Sequence, residues 1–338
     1  MIPERSLEVL RAIVNDYVAT REPVGSKALL ERHGFSVSSA TIRNDMAILE
    51  EEELIQHTHT SSGRVPTDKG YRLFVNRLNE VKPLNVAERH AIETFLSEGA
   101  DLDDLLSRTL RLLSKLTKQV AMVQYPSLGK ANVRHIDFVP ISANAALVVL
   151  LTDTGRVEQR HVVFESALDE ALAGRIRGQL IAAAIAAPIS LVMQRLEPVP
   201  ALFAPAEQTQ VGLVIEAVRE LVESNRQDKI LVSGASNLVK AEQDFSGNIT
   251  PVLEAIEENV VLLKLMTEMQ AEQHGASVRI GRENVIPNLS STTVIAAGYQ
   301  SSAGEIAKLG LIGPTRMDYS QNIAAVVAVA RYLSKTFE

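Results

Sequence analysis

The sequence predicts an α+β protein with a helical first unit and a mixed second unit. Three observations carry this. Apolar residues recur at helical spacing along residues 5–49, followed by a short hairpin-like stretch. Beyond residue 130, β-branched runs such as "VRHIDFVPI" and "AALVVLLTD" take over. An Ala-rich helical region then separates these runs from later strand-like ones. Strands, helices, strands and a closing helix suggest a meander sheet backed by helices, of PAS or GAF type, carrying an insertion.

In chain order, "RSLEVLRAIVNDYVAT" places Leu7, Leu10, Ile13, Val14 and Tyr17 on one helical face, and Pro23 and Gly25 end it. A second short helix runs from Ser26 to near Gly34. In the third, Ile42, Met46 and Leu49 form one inward stripe. "LIQHT" and "GRVPT" read as two short strands around a Thr-Ser-Ser-Gly turn, and Thr67 caps a fourth helix over 68–81 with Tyr71, Phe74 and Leu78 inward. Lys82-Pro83 opens a linker, and two helical stretches are expected between Val86 and Gln124. Three strands follow over 133–164, then Ala-rich helices to about Ser224, broken at "LEPVPALFAP". "KILVSG" reads as a buried strand, and residues 251–272 as one strong helix. "SVRIG", "TTVIAAGYQ" and "EIAKLGLIG" are strands, and residues 318–337 form a last helix.

Composition limits the function. The 338 residues contain no Cys, which excludes disulfides and thiolate metal sites. The start shows no signal peptide, and the longest apolar stretch, from Leu180, is broken by Pro188 and falls short of the ~20 residues a membrane span needs. A cytoplasmic protein with no membrane partner is expected. Net charge is −7, yet residues 1–82 carry eleven Lys and Arg against twelve Asp and Glu. Any grip on nucleic acid must therefore come from where the charges sit.

Three helices and a hairpin are the winged helix-turn-helix order, in which the third helix enters the major groove. Opposite its apolar stripe lie Ala40, Asn44 and Ala47, with Thr41 and Arg43 on the shoulders. Asn can bond adenine and Arg guanine through two hydrogen bonds each, Thr offers a hydroxyl or methyl, and the alanines allow close approach. Ser38 and Ser39 lie where backbone N–H groups and hydroxyls meet a phosphate. Lys27, Arg64, Lys69 and Arg72 are the expected phosphate anchors, and His57, His59 and Ser62 belong to a wing that would touch the minor groove or backbone. The same face also fits a small helical domain that is merely solvated.

"YVATREPVGSKALL", "SSATIRNDMAILEE", "HTHTSSGRVPTDKGYRLFV", "IGREN" and "GLIGPTRMDYSQNI" resemble, in order and over nearly the whole chain, the heat-inducible transcription repressor family HrcA. The resemblance implies a winged helix-turn-helix domain over 1–82, a linker helix over 83–100, and a GAF-like domain in two parts, 101–165 and 251–338. An inserted dimerisation segment over 166–250 would separate those parts. It further implies a homodimer on double-stranded DNA, at an inverted-repeat operator called CIRCE upstream of chaperonin and DnaK-type chaperone genes. The chaperonin GroEL would keep the repressor active, and heat stress would relieve it. No cofactor is implied.

Other candidates have structural explanations beside functional ones. Helices around Ile176 to Val192 could self-associate or be buried within one subunit. In "GPTRMDY", Asp318 with Gln321 is a capping pattern, which leaves Arg316 for a carboxylate or a ligand. Arg282, Glu283 and Asn284 fit a turn or ion pair. His135 and Asp137 share a strand face without a nucleophile motif, so catalysis is not expected. His57 and His59 have ligand spacing that no carboxylate pattern completes, so no metal site is expected. The alternative function is a small-molecule-gated regulator whose effector sits in the GAF-like domain.

Overall fold

The computed structural model describes all residues except 1, 59–62, 79–86, 88–89, 91, 93, 95–100, 127–130, 154, 227–228, 246, 248, 270–274, 301–305 and 338. The chain opens with helices α1 (Glu4–Thr20), α2 (Ser26–His33) and α3 (Ser39–Glu51), then strands β1 (Ile55–His57) and β2 (Arg64–Pro66), then α4 (Asp68–Asn76). Leu10, Ile13, Leu29, Ile42 and Leu49 meet in one core. Arg21 and Gly34 take left-handed backbone and stop α1 and α2. The Thr67 hydroxyl caps α4 by accepting from the Gly70 amide at 3.1 Å, as expected. The expected linker helix, 83–100, falls largely outside the described residues.

The second unit comprises α5 (Leu102–Thr117), β3 (Val120–Gln124), β4 (Val133–Ser142), β5 (Ala145–Thr152), β6 (Val157–Val163), α6 (Glu170–Ala184), α7 (Ile189–Leu196), α8 (Gln208–Arg226), β7 (Ile230–Ser233), α9 (Ala235–Lys240), α10 (Thr250–Glu257), α11 (Asn259–Glu268), β8 (Ser277–Ile280), β9 (Thr292–Gln300), β10 (Ile306–Pro314) and α12 (Tyr319–Phe337). Beyond the β1–β2 hairpin, its described strands form two sheets, ordered β7-β3-β10-β9-β8 and β4-β5-β6. Every neighbouring pair is antiparallel. The larger sheet is filled on both faces. Val123, Ile295, Leu309 and Leu311 pack with α5, α12 and the first unit, while Met122, Val294 and Ile312 pack under α10 and α11.

Three expectations are corrected. The helix expected to reach Gln124 ends at Thr117: Lys118 is left-handed (φ 56°), and residues 120–124 are a central strand buried between β7 and β10. The helix expected over 251–272 is two, broken at Glu258 by extended backbone (ψ 92°). The third correction concerns grouping. Residues 133–164 were expected with the first part of the GAF-like domain, ahead of an insertion at 166–250. Their strands instead form the smaller sheet, whose inner face (Ile136, Phe138, Val148, Leu150) packs against α6, α7 and α8. β7, expected inside the insertion, is an edge of the larger sheet. Ile176, Leu180, Ile189 and Val192 are buried in that same packing, so the Ala-rich helices spend their apolar face within the subunit.

The two halves of the chain pack closely. Tyr319 sits under Tyr71 and Phe74, with ring centroids 5.5 and 6.4 Å apart. Arg316, left over in the sequence, bonds Asp244 through Nε at 2.7 Å and also reaches the Val18 carbonyl. Arg21 reaches the same carboxylate at 3.1 Å. Arg72 pairs with Glu283, and the Arg282 amide donates to Asp68 at 3.2 Å. "GPTRMDY" and "IGREN" thus form the seat of the first unit. Asp318 caps α12 through the Gln321 amide at 2.9 Å, as expected. Asp137 pairs with Arg177, which accounts for it without chemistry.

Candidate nucleic-acid interface

The site is built on the first turn of α3. Ser38 holds extended backbone and its Oγ accepts from the Thr41 amide at 3.2 Å, satisfying an end group that the helix cannot. Its hydroxyl also meets Thr41 Oγ1 at 2.9 Å. Ser39 Oγ bonds Ser26 Oγ at 3.1 Å, so the first turns of α2 and α3 are tied together. The first turn of α3 carries no acidic residue, and its positive dipole end is left open to an anion.

Periodicity placed the outward face correctly. Ala40, Arg43, Asn44 and Ala47 are exposed, Thr41 is half-buried, and Ile42, Met46 and Leu49 are buried. Arg43 and Asn44 have no side-chain partner among the described residues and are available to a duplex. Lys27 is exposed on α2, beside the tie between Ser26 and Ser39.

The remaining expected cations are placed otherwise. Arg64 is bound to Glu50 at the far end of α3, Nε to Oε2 at 3.0 Å, and donates through Nη1 to His57 Nδ1 at 2.8 Å. Lys69 donates to the Glu52 carbonyl at 2.7 Å, where α3 ends. That is about 20 Å from the tip of a 13-residue helix. Arg72 faces the second unit through Glu283 and the Val278 carbonyl. In the free protein, then, Arg64 and Arg72 are engaged in ion pairs, while the exposed Lys69 meets only a neutral carbonyl. His57 is exposed on β1, while His59 and Ser62 lie outside the described residues.

Two features were not read from the sequence. Asp45 sits on the buried face of α3 at 1% exposure, accepting from Ser6 Oγ and Arg5 Nε, each at 2.8 Å. This pair of bonds fixes how α3 is rotated on α1 and hence which way Arg43 and Asn44 point. The same hydrogen bond, with the Asp45 charge, raises the Arg5 pKa further, so Arg5 stays cationic. Val24 exchanges both backbone hydrogen bonds with Arg64, at 2.9 Å each, which adds the α1–α2 loop to the wing as a third bridge. A carboxylate at the inward position beside Met46 was the available signal for Asp45; its partners, 39 and 40 residues away, gave none.

Residues 14–64 match the family model described as a DeoR-like helix-turn-helix domain. Residues 103–323 match the one described as the HrcA protein C terminal domain. The heat-inducible transcription repressor HrcA of Clavibacter michiganensis subsp. michiganensis is 55% identical over 338 residues, covering 100% of this chain and 99% of that protein. The protein of the same name from Leifsonia xyli subsp. xyli is 54% identical over 335 residues, covering 99% of each. A crystal structure described as that of a hypothetical protein superposes with a TM-score of 0.72 at 25% identity, covering 100% of this chain and 99% of that one.

Proposed function

The chain belongs to the HrcA family of heat-inducible transcription repressors, and from that premise we propose that it represses chaperone operons by gripping an inverted-repeat operator as a dimer. Its helix-turn-helix is the DNA-binding domain. The observation that carries the proposal is the tip of α3. Arg43 and Asn44 stand exposed and unpartnered between two alanines, behind an N-terminus capped by Ser38. In a duplex, Arg43, Asn44 and the Thr41 methyl would meet base edges, Ala40 and Ala47 would let the helix approach, and Lys27, Ser38 and Ser39 would hold phosphates. The operator is the CIRCE inverted repeat, ahead of chaperonin and DnaK-type genes. The chaperonin GroEL sustains repression until heat-damaged proteins occupy it. The protein acts in the cytoplasm, and no helix among the described residues is long and apolar enough to cross a membrane.

An inverted repeat calls for a two-fold reader. Support for a second copy comes from the outer face of the smaller sheet. Leu147, Val149 and Leu151 line its central strand. Their register neighbours on that face include Val139 and Val157, 42% and 61% exposed, and Val163 ends the edge strand at 72%. The same face also carries His135, Asp137, Gln159 and His161, and an exposed apolar row set among polar groups is a typical interface. The effector-gated reading calls for a closed, polar-lined cavity beside the larger sheet, and apolar side chains fill both faces of that sheet.

A gel-shift assay tests the function. Purified protein is expected to retard a duplex carrying the inverted repeat in preference to a random duplex, and added chaperonin to increase the bound fraction. Equal retardation of both duplexes, with or without chaperonin, would sink the proposal.

A further inference from the structure

We propose that Glu50 limits sequence-independent DNA binding by holding the wing's Arg64 in an ion pair. The inference rests on the reading that α3 and the wing face the duplex. Glu50 lies on the recognition helix itself, seven residues beyond Arg43, about 10 Å further along the axis. Its carboxylate takes Arg64 by two prongs, Nε at 3.0 Å and Nη2 at 2.8 Å. His57 Nε2 stands 3.7 Å from the other carboxylate oxygen, and its Nδ1 meets Arg64 Nη1 at 2.8 Å. The Arg64 side chain is 17% exposed, and its backbone is clamped to Val24. The guanidinium is thus enclosed, oriented and compensated.

The consequence is electrostatic. Affinity for DNA of arbitrary sequence comes almost wholly from phosphate neutralisation and counterion release, with a salt slope of roughly −0.9 per phosphate. A guanidinium already matched to a carboxylate neutralises little more. Arg64 is the one Lys or Arg in the sequence of the wing, residues 55–66, and Glu50 engages it. With eleven cations against twelve carboxylates over residues 1–82, little sequence-independent attraction remains. The first unit must then draw its affinity from base contacts at Arg43 and Asn44 and from pairing of two copies. The acidic end of α3 acquires a function in place of being an electrostatic nuisance.

The test is fluorescence anisotropy of the full chain on a random-sequence duplex and on the inverted-repeat duplex, over a KCl series. Glu50→Gln keeps the shape and removes the charge. It is expected to tighten random-duplex binding roughly five- to tenfold near 0.1 M salt and to steepen the salt slope by roughly 0.9. Arg64→Ala placed on top of Glu50→Gln should erase that gain, while Arg64→Ala by itself should cost much less. An unchanged salt slope in Glu50→Gln overturns the proposal, as does an equal cost of Arg64→Ala in both backgrounds. Arg43→Ala is the control for the underlying reading. If it still weakens preference for the inverted repeat while Glu50→Gln does nothing, the Glu50 proposal fails and the reading stands. If Arg43→Ala also leaves that preference intact, the reading has failed with it.

Discussion

Arg43 and Asn44 lie side by side on α3, but their neighbours decide what each can do. Arg43 and Asn44 are free because Asp45, the next residue, is not: it is buried against Ser6 and Arg5. Replacing Asn44 or Arg43 by Ala is expected to cost about 1–3 kcal/mol of discrimination at one base pair of each half-site. Measuring affinities for an operator panel substituted one position at a time checks this. A loss of the same size on random DNA would remove the residue from the base-reading set. The outward face was legible because helical periodicity needs only the local chain. The fates of Arg64, Lys69 and Arg72 were not. Each meets a partner in another element, the Glu50 carboxylate, the Glu52 backbone carbonyl and the Glu283 carboxylate respectively, and composition shows a cation without showing what it bonds.

At the level of elements, helices with a strong apolar stripe and a cap were found where the spacing put them, α1, α3 and α12 among them. The run after Leu113 is part helix and part strand. Leu113, Leu116, Val120 and Val123 continue a helical spacing, and a short apolar run does not by itself distinguish helix from buried strand. The decision was made by β7 and β10, over a hundred residues downstream, which offer β3 hydrogen bonds on both edges. The chain turns from one state to the other at Lys118, whose left-handed backbone strains any residue with a Cβ. Lys118→Gly is therefore expected to raise stability by about 0.5–1 kcal/mol, read as a higher urea midpoint with an unchanged slope. A lower midpoint would show that the Lys side chain contributes more than its backbone costs.

At the level of the whole molecule, two contacts matter: the seat of the DNA-binding unit and the bare face of the inserted sheet. Arg316 and Asp244 are 10% and 5% exposed, so the seat contains a buried ion pair, with Arg21 as a further partner. Arg316→Ala leaves Asp244 half-compensated, at a cost of up to about 3–5 kcal/mol. It is expected to split thermal unfolding into two calorimetric transitions, the DNA-binding unit melting first. A single unshifted transition would show that Tyr71, Phe74 and Tyr319 hold the seat unaided. Gly281 belongs to the same seat: at φ +54° it lets the chain pass where a Cβ would fall 2.0 Å from the Asp68 carboxylate. On the outer face of the smaller sheet, Leu147→Glu is expected to turn the proposed dimer into monomers in sedimentation while leaving its circular dichroism unchanged. Persistence of the dimer would move the interface elsewhere. The local chain determined the helix-turn-helix order, the caps at Ser38, Thr67 and Asp318 and the outward face of α3, because periodicity and capping act over a few residues. Only the tertiary structure decided which strands share a sheet, that "IGREN" and "GPTRMDY" seat the DNA-binding unit, and which cations are held in ion pairs. Each of those depends on a partner far away in sequence, and pairing across such distances is settled by packing rather than by any local signal.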